Sequence, residues 1–194
     1  MIFGNELFDG CKLILLSIFK DDRGCFLETY NQKRYQDDLN NINFVLDNES
    51  FSAKYVARGL HFQKGEHAQA KLVRVVQGRV IDFILDLRPD SKTYGKMIYV
   101  LLEPGMLFFV PRGMAHGFIS LEHNTIFSYK CDNFYNKESE AGYSIFDKKL
   151  NIIPNLENYI KNNIDKAFDE TCLTLSIKDM KHPCFSEKCD NVIK

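Results

Sequence analysis

The sequence predicts an all-β fold, a barrel with short peripheral helices and a helical C-terminal segment. Between residues 71 and 131, β-branched and aromatic runs alternate with turn residues roughly every ten positions, which is typical of sandwiches and barrels. The second run has an apolar face with Ile81 and Phe83, and a mixed face with Asp82 and Asp86. A mixed face suits a barrel interior that holds a ligand as well as side chains.

The elements follow from local patterns along the chain. A strand is predicted over 11–19, and a short helix over 31–39, where Asn31 can cap the first turn. Five strands are predicted at 71–76, 79–87, 96–102, 107–110 together with 117–121, and 125–131, separated by turns rich in Gly, Pro and Asp. Apolar residues at helical spacing after Pro154 predict an amphipathic helix over 154–168.

Length and charge restrict the class of protein. The 194 residues fit a single domain, 1–194, with a core of about 11–147 and a C-terminal extension over 148–194. Lys and Arg number 25 against 26 Asp and Glu, so no basic excess favours nucleic acid as a partner. An acidic ligand would need a local positive pocket.

The cysteines and the apolar runs indicate a compartment. Six cysteines lie at irregular intervals without a C-x-x-C pair or a leader segment, which predicts reduced thiols and a cytoplasmic protein. The longest apolar runs are too short to cross a bilayer, so no membrane partner is predicted. Cys184 and Cys189 with His182 could suggest a zinc knuckle, but their spacing favours free thiols.

One motif carries chemistry. Gly105, Pro111-Arg112-Gly113 and His116 resemble the second motif of the cupin superfamily, in which the glycines and proline shape a hairpin and the histidine points into the barrel. The alternative is a plain turn followed by a core histidine. Metal-binding cupins also have a His-x-His pair, but here His61 is followed by Phe62 and Gln63. Gln63 removes a good ligand, so no metal is predicted.

A cationic pocket is predicted around His61. Simple alternation places Arg58 and His61 on opposite faces of a strand, but a bulge at Gly59 would turn both inward. Lys71 and Arg74 follow on the next strand. A histidine among Lys and Arg side chains makes a poor apolar core and a good anion pocket.

Seven phrases occur in a fixed order: DDRGCFLETYN, RGLHFQ, QAKLVRVVQG, DLRPDSKTYGK, PRGMAHGF, YKCDNFY and LSIKD. In this ordered set the chain resembles the dTDP-4-dehydrorhamnose 3,5-epimerase family over residues 21–147 and 173–179. The resemblance implies a cupin jelly roll without a cofactor, and a cytoplasmic enzyme of bacterial nucleotide-sugar metabolism. It implies inversion of C3 and C5 of a dTDP-4-keto-6-deoxyhexose through an enolate, in a dTDP-L-rhamnose-type pathway that supplies cell-surface polysaccharide.

The resemblance also implies residue roles. His61 matches the catalytic base, Asp179 of LSIKD the carboxylate paired with it, Tyr129 the acid on the opposite face, and Lys71 the cation near the keto oxygen. Tyr135 matches the aromatic that stacks on the nucleotide base. Positions that hold the sugar or nucleotide are matched by Arg23, Glu28, Asn48, Arg58, His116, Glu140 and Lys178.

A homodimer is expected, because the segment 23–28 lies along the dimer interface in the resembling family. Phe26 would then cover the nucleotide base opposite Tyr135; the alternative is that Phe26 belongs to the core of its own chain.

The chain departs from the family pattern at three places. Leu46 stands where the family often has Gln, a Trp that is common in the family after the stacking Tyr is replaced near Phe146, and 155–171 is an insertion. Other functions left open are C3-only epimerisation, ketoisomerisation, and nucleotide-sugar binding without catalysis.

Overall fold

Two antiparallel sheets enclose a shared interior in the computed structural model, which describes residues 2, 3, 8, 10–37, 39 and 41–185. The larger sheet has the strand order β1 (Ile2–Phe3), β9 (Met97–Leu102), β8 (Val80–Asp86), β11 (Met114–Ser120), β6 (Ala57–Gln63) and β13 (Glu140–Gly142). The smaller sheet has the order β2 (Lys12–Leu15), β10 (Met106–Val110), β7 (Lys71–Gln77), β12 (Thr125–Cys131) and β5 (Leu46–Ser52). A separate hairpin joins β3 (Ile18–Asp21) to β4 (Gly24–Leu27). The predicted all-β class is confirmed.

The core lies on both faces of β8. Val80 and Ile84 face the interior and pack with residues of the smaller sheet. Ile81 and Phe83 face the other way and pack against the C-terminal extension, in a cluster that includes Leu156 of α2 (Ile152–Asn163). Burying one such side chain contributes about 1.5 to 3 kcal/mol, so the extension stabilises the barrel from outside. The mixed face of this strand does point inward, as predicted.

Two strand predictions are wrong. The stretches 107–110 and 117–121, predicted together as one of the five strands, are separate strands, because β10 pairs with β2 and β7 in one sheet whereas β11 pairs with β6 and β8 in the other. The segment between them crosses between the sheets at Pro111 and at Gly113, whose φ is 84°. The stretch 11–19 divides into β2 and β3, because the chain leaves β2 at Leu16, whose N–H donates to the Gly105 carbonyl.

The helices form near their predicted positions with different ends. The first, α1 (Gln32–Tyr35), is shorter than 31–39, and the Asn31 side chain caps it by accepting from the Arg34 N–H at 3.1 Å. The second, α2, begins two residues before Pro154, which tolerates the first turn because N–H groups there have no helical partner. It ends at Asn163 rather than at 168.

The extension returns to the barrel beside β6. Thr174 forms a parallel bridge with Val56, and α3 (Ile177–Met180) then contacts β6. Ser176 caps α3, its hydroxyl accepting from the Asp179 N–H at 3.1 Å. These contacts place Asp179 at the cavity described below. Among the described residues, no helix has the length and apolarity needed to cross a membrane.

Candidate active site

A bulge in β6 turns two side chains toward the interior. Between Arg58 and His61, two residues of β6 oppose one residue of β11. Gly59 adopts φ +111° in this bulge, and a Cβ there would lie 2.6 Å from Gly117 Cα, so only glycine fits. Arg58 and His61 consequently line the same cavity, which confirms the predicted bulge.

The predicted catalytic residues converge. His61, Lys71 and Tyr129 line two cavities of about 260 and 180 Å³ that share these three side chains. Asp179 lines the larger one. Of the predicted binding residues, the larger cavity also contains Arg58, His116 and Lys178, and the smaller one contains Asn48, Tyr135 and Glu140.

His61 and Asp179 form a hydrogen-bonded pair. Their Nε2 and Oδ1 atoms are 2.5 Å apart, and Asp179 is only 4% exposed. Burial alone would raise the pKa of Asp179, but the hydrogen bond and charge interaction with His61, with the Ser176 contact, bring that pKa below its usual value. An ionised carboxylate can only accept, so His61 Nε2 carries the proton of this hydrogen bond.

Tyr129 and Lys71 approach from the opposite sheet. They lie on the neighbouring strands β12 and β7, and Lys71 Nζ is 5.9 Å from the centre of the Tyr129 ring. Burial raises the pKa of the Tyr129 hydroxyl and lowers the pKa of the Lys71 ammonium. A flat group held between the sheets would therefore have His61 on one face and a protonated phenol on the other.

A second histidine pair lies deeper in the cavity. His116 Nε2 and Asp82 Oδ2 are 2.7 Å apart, and both side chains are buried. Burial lowers the pKa of His116 and raises the pKa of Asp82. Asp82 was not predicted as a site residue; the signal was a carboxylate in the middle of the strand, between Ile81 and Phe83 and on the face predicted to point inward.

Polar contacts join three predicted binding residues at the rim. The Tyr135 hydroxyl donates to Glu140 Oε2 at 2.9 Å, and Lys178 Nζ lies 2.5 Å from Glu140 Oε1. Burial alone would raise the pKa of Glu140, but these two partners lower it below its usual value. Tyr135 is 56% exposed, so one face of its ring remains open to a ligand.

Three predicted binding residues lie elsewhere. Arg23 and Phe26 are on the β3–β4 hairpin and Glu28 follows it, and none of them lines either cavity of this chain. Phe26 is 69% exposed, so the alternative that it belongs to its own chain's core is wrong. Arg23 pairs with Asp21, and Glu28 accepts from the Asn31 side chain at 3.0 Å.

Two further expectations concern single side chains. Arg74 does not join the pocket around His61, because alternation along β7 places it with Leu72 in a separate groove. Gln63 is buried, and its side-chain carbonyl accepts from the Asn136 N–H at 3.2 Å, so it fixes the loop before β13. Of the zinc-knuckle alternative, Cys189 lies outside the described residues.

The family model described as dTDP-4-dehydrorhamnose 3,5-epimerase matches residues 6–187. The chain belongs to this family. An enzyme of that name from Escherichia coli is 44% identical over 138 residues, covering 70% of this chain and 75% of the relative. One from Methanothermobacter thermautotrophicus is 42% identical over 146 residues, covering 74% and 78%.

Solved epimerase structures share the fold over nearly the whole chain. The dTDP-4-dehydrorhamnose 3,5-epimerase of Elizabethkingia anophelis is 42% identical, covers 95% of this chain and 96% of its own, and gives a TM-score of 0.79. The dTDP-6-deoxy-D-glucose-3,5-epimerase of Legionella pneumophila, solved with dTDP-4-keto-L-rhamnose, is 35% identical, covers 96% and 93%, and also gives 0.79. The cupin-type jelly roll is thereby confirmed, and the chain is an isomerase-class epimerase.

One residue beside the epimerase site was missed. His182 lies with its Nε2 3.6 Å from Asp179 Oδ1, and its ring centre is 5.5 Å from that of His61. The sequence signal was the spacing of three residues from Asp179 at the end of a short helix, which places both side chains on one side.

Proposed function

We propose that this chain inverts C3 and C5 of dTDP-4-keto-6-deoxyglucose. The observation that carries the proposal is the pairing of His61 with Asp179 on one side of the cavity, opposite Tyr129 on the other. The names of the relatives, at 42% to 44% identity, support the same reaction.

The chemistry follows from the 4-keto group. C–H bonds at C3 and C5 flank the carbonyl, so removal of a proton from either carbon gives an enolate. His61 Nδ1 takes the proton, Lys71 stabilises the developing oxyanion, and Tyr129 gives its proton to the same carbon from the opposite face. Exchange with solvent then restores both side chains. Each acid or base contributes about 10²- to 10⁴-fold, and the cation several kcal/mol.

The roles of the binding residues follow from charge and shape. Arg58 and Lys178 hold the diphosphate, since guanidinium and ammonium groups pair with phosphate oxygens. Tyr135 stacks on the thymine, while Asn48, Glu140 and His116 bind sugar or nucleotide hydroxyls and carbonyls. The relative from Legionella pneumophila was solved with dTDP-4-keto-L-rhamnose bound, and the relative from Bacillus anthracis with TDP and pyrophosphate bound.

The working unit that we propose is a homodimer. Arg23, Phe26 and Glu28 are ligand-type residues on or beside an exposed hairpin that does not reach the cavity of its own chain. If this hairpin extends into the cavity of a second copy, Phe26 covers the face of the nucleotide base that lies opposite Tyr135. Stacking of this kind contributes about 1 to 3 kcal/mol per base.

The remaining parts of the proposal concern organisation and setting. Residues 1–194 act as one cupin domain, in which the extension after 148 returns Asp179 to the site. The enzyme works in the cytoplasm without a cofactor and binds neither membranes nor nucleic acid. Its product enters a dTDP-L-rhamnose-type pathway for cell-surface polysaccharide.

Proton NMR of a dTDP-4-keto-6-deoxyglucose incubation in D2O tests the reaction. Deuterium at both C3 and C5 with a rhamno-configured product is the expected result. Deuterium at C3 alone identifies a single epimerase, and a 3-keto product identifies a ketoisomerase. An intact, bound substrate without exchange identifies a non-catalytic binder and overturns the proposal.

A further inference from the structure

Asp179, which pairs with His61, has a second imidazole beside it, that of His182. Asp179 Oδ1 lies 2.5 Å from His61 Nε2 and 3.6 Å from His182 Nε2, and the three ligand atoms lie within 4.8 Å of one another. His182 Nε2 is buried and has no hydrogen-bond partner among the described residues. The proposed reaction uses His61 and Asp179 but gives His182 no task.

The backbone makes room for this ring. Gly142 of β13 pairs with His61 across the sheet, and a Cβ at Gly142 would lie 2.5 Å from His182 Nε2. The ring therefore occupies space that any larger residue at that position would fill. His182 is thus held with its unpartnered nitrogen directed at the His61 and Asp179 pair.

We propose that His61, Asp179 and His182 form a binding site for a divalent transition-metal ion such as Zn²⁺, which inhibits the enzyme when it binds. Two imidazoles and one carboxylate are ligands that Zn²⁺ accepts, and its bonds of 2.0–2.2 Å place tetrahedral ligand atoms about 3.3 Å apart. The separations of 2.5 and 3.6 Å, and the third of at most 4.8 Å, reach that geometry by shifts of no more than about 1.5 Å. The fourth position remains open for water.

Inhibition follows from the proton on His61, and this part rests on the proposed function. Without metal, Nε2–H donates to Asp179, and Nδ1 accepts the substrate proton. A metal ion on Nε2 takes the lone pair of that nitrogen, so the proton of the neutral ring must sit on Nδ1. Nδ1 then has no lone pair for the substrate. Asp179, bound to the ion, also ceases to orient the ring.

Calorimetric titration of the full chain with Zn²⁺, paired with epimerase assays over a Zn²⁺ series, tests the site. His182→Ala and the smaller polar variant His182→Asn should each weaken binding and raise the half-inhibitory Zn²⁺ concentration at least about tenfold, each relative to its own metal-free rate. His123→Ala, an exposed histidine outside the cluster, and Cys184→Ser, a thiol two residues away, are the controls and should match wild type.

The outcomes separate this site from the proposed reaction. Unchanged Zn²⁺ binding in both His182 variants overturns the site, as does inhibition that disappears in Cys184→Ser but persists without His182. Tight, His182-dependent binding by a protein that shows no epimerase activity keeps the metal site and refutes only the proposed function. Tight binding without inhibition of an active enzyme overturns the inhibitory mechanism.

Discussion

Replacing Asp179 by Asn isolates the contribution to kcat of the carboxylate that pairs with the proposed base, His61. The two side chains have nearly the same shape, and Asp179 is 4% exposed, so packing is retained. An amide NH2 facing His61 Nε2 forces the ring proton onto Nδ1, which removes the free base. An amide carbonyl in that place keeps the proton on Nε2 but removes the negative charge that stabilises the imidazolium formed during proton abstraction.

The expected loss in kcat is about 10²- to 10⁴-fold, because the same change behind a catalytic histidine costs on the order of 10⁴-fold in hydrolytic triads. This corresponds to about 3 to 5 kcal/mol of transition-state stabilisation. KM should change by less than about threefold, since Asp179 serves the base rather than the nucleotide.

Deuterium incorporation at C3 and at C5, followed by NMR in D2O, measures the loss at both carbons, and both should fall together. Asp169→Asn is the matched control, because it removes the same charge from an exposed side chain of the same extension. A folded Asp179→Asn enzyme that keeps more than a third of the wild-type kcat would refute the assigned role.

Four other expectations can be checked with the same assay or by unfolding. His61→Ala should abolish exchange at both carbons, whereas Tyr129→Phe should lose product more than exchange, since return to the same face needs no second acid; equal exchange in wild type and His61→Ala would place the base elsewhere. Activity should survive exhaustive chelation, and a stoichiometric metal whose removal stops turnover would contradict this. Mixing inactive Arg23→Ala and His61→Ala chains should restore activity toward about a quarter of wild type, because random pairing gives hybrids with one complete pocket; background activity in the mixture means that each pocket uses one chain. Asp86→Asn should lower the free energy of unfolding in urea by about 3 to 5 kcal/mol at neutral pH, because Asp86 is fully buried and accepts from the Arg88 guanidinium. The folded-state pKa of Asp86 lies well below its ordinary value of 3.8, so the stability lost in Asp86→Asn is complete above pH 3.8 and shrinks as the pH falls below 3.8. The control variant Asp90→Asn, at an exposed position, should stay within about 0.5 kcal/mol of wild type. Equal losses of stability in the two variants would contradict the argument.

Local patterns predicted the parts of the barrel whose cause is local. The strand over 125–131 occurs with its predicted ends, because both faces of β12 carry the expected alternation and its turns are explicit. The Gly59 bulge was predictable as well, since a glycine inside a strand is a typical position for a bulge and the polar residues on either side of it both suit the interior. The division of 107–121 between two sheets was not, because which sheet receives a strand depends on partners far along the chain.

The site shows the same division between local and distant causes. His61 and Lys71 lie near one another in sequence, so strand alternation and one bulge were enough to direct both inward. Asp179 is more than a hundred residues from His61, and no periodicity joins them; the ordered family phrases were needed. His182 had only the weak local signal of its spacing from Asp179, because the space beside Gly142 that its ring occupies is set by the packed structure.

In the proposed mechanism, the distant origin of Asp179 makes the orientation of the His61 base depend on how the extension docks. The barrel alone supplies His61 on one sheet and Tyr129 on the other, which is what inversion at a planar carbon requires. The carboxylate that pairs with His61 nevertheless comes from the extension, which is held to the barrel by the cluster that contains Phe83 and Leu156 of α2 and by the pairing of Asp165 with Lys54 at 3.1 Å. A weakened extension would therefore leave Asn48, Tyr135 and Glu140 of the barrel in place, but it would withdraw both Asp179 from the proposed base and Lys178 from the proposed diphosphate contact.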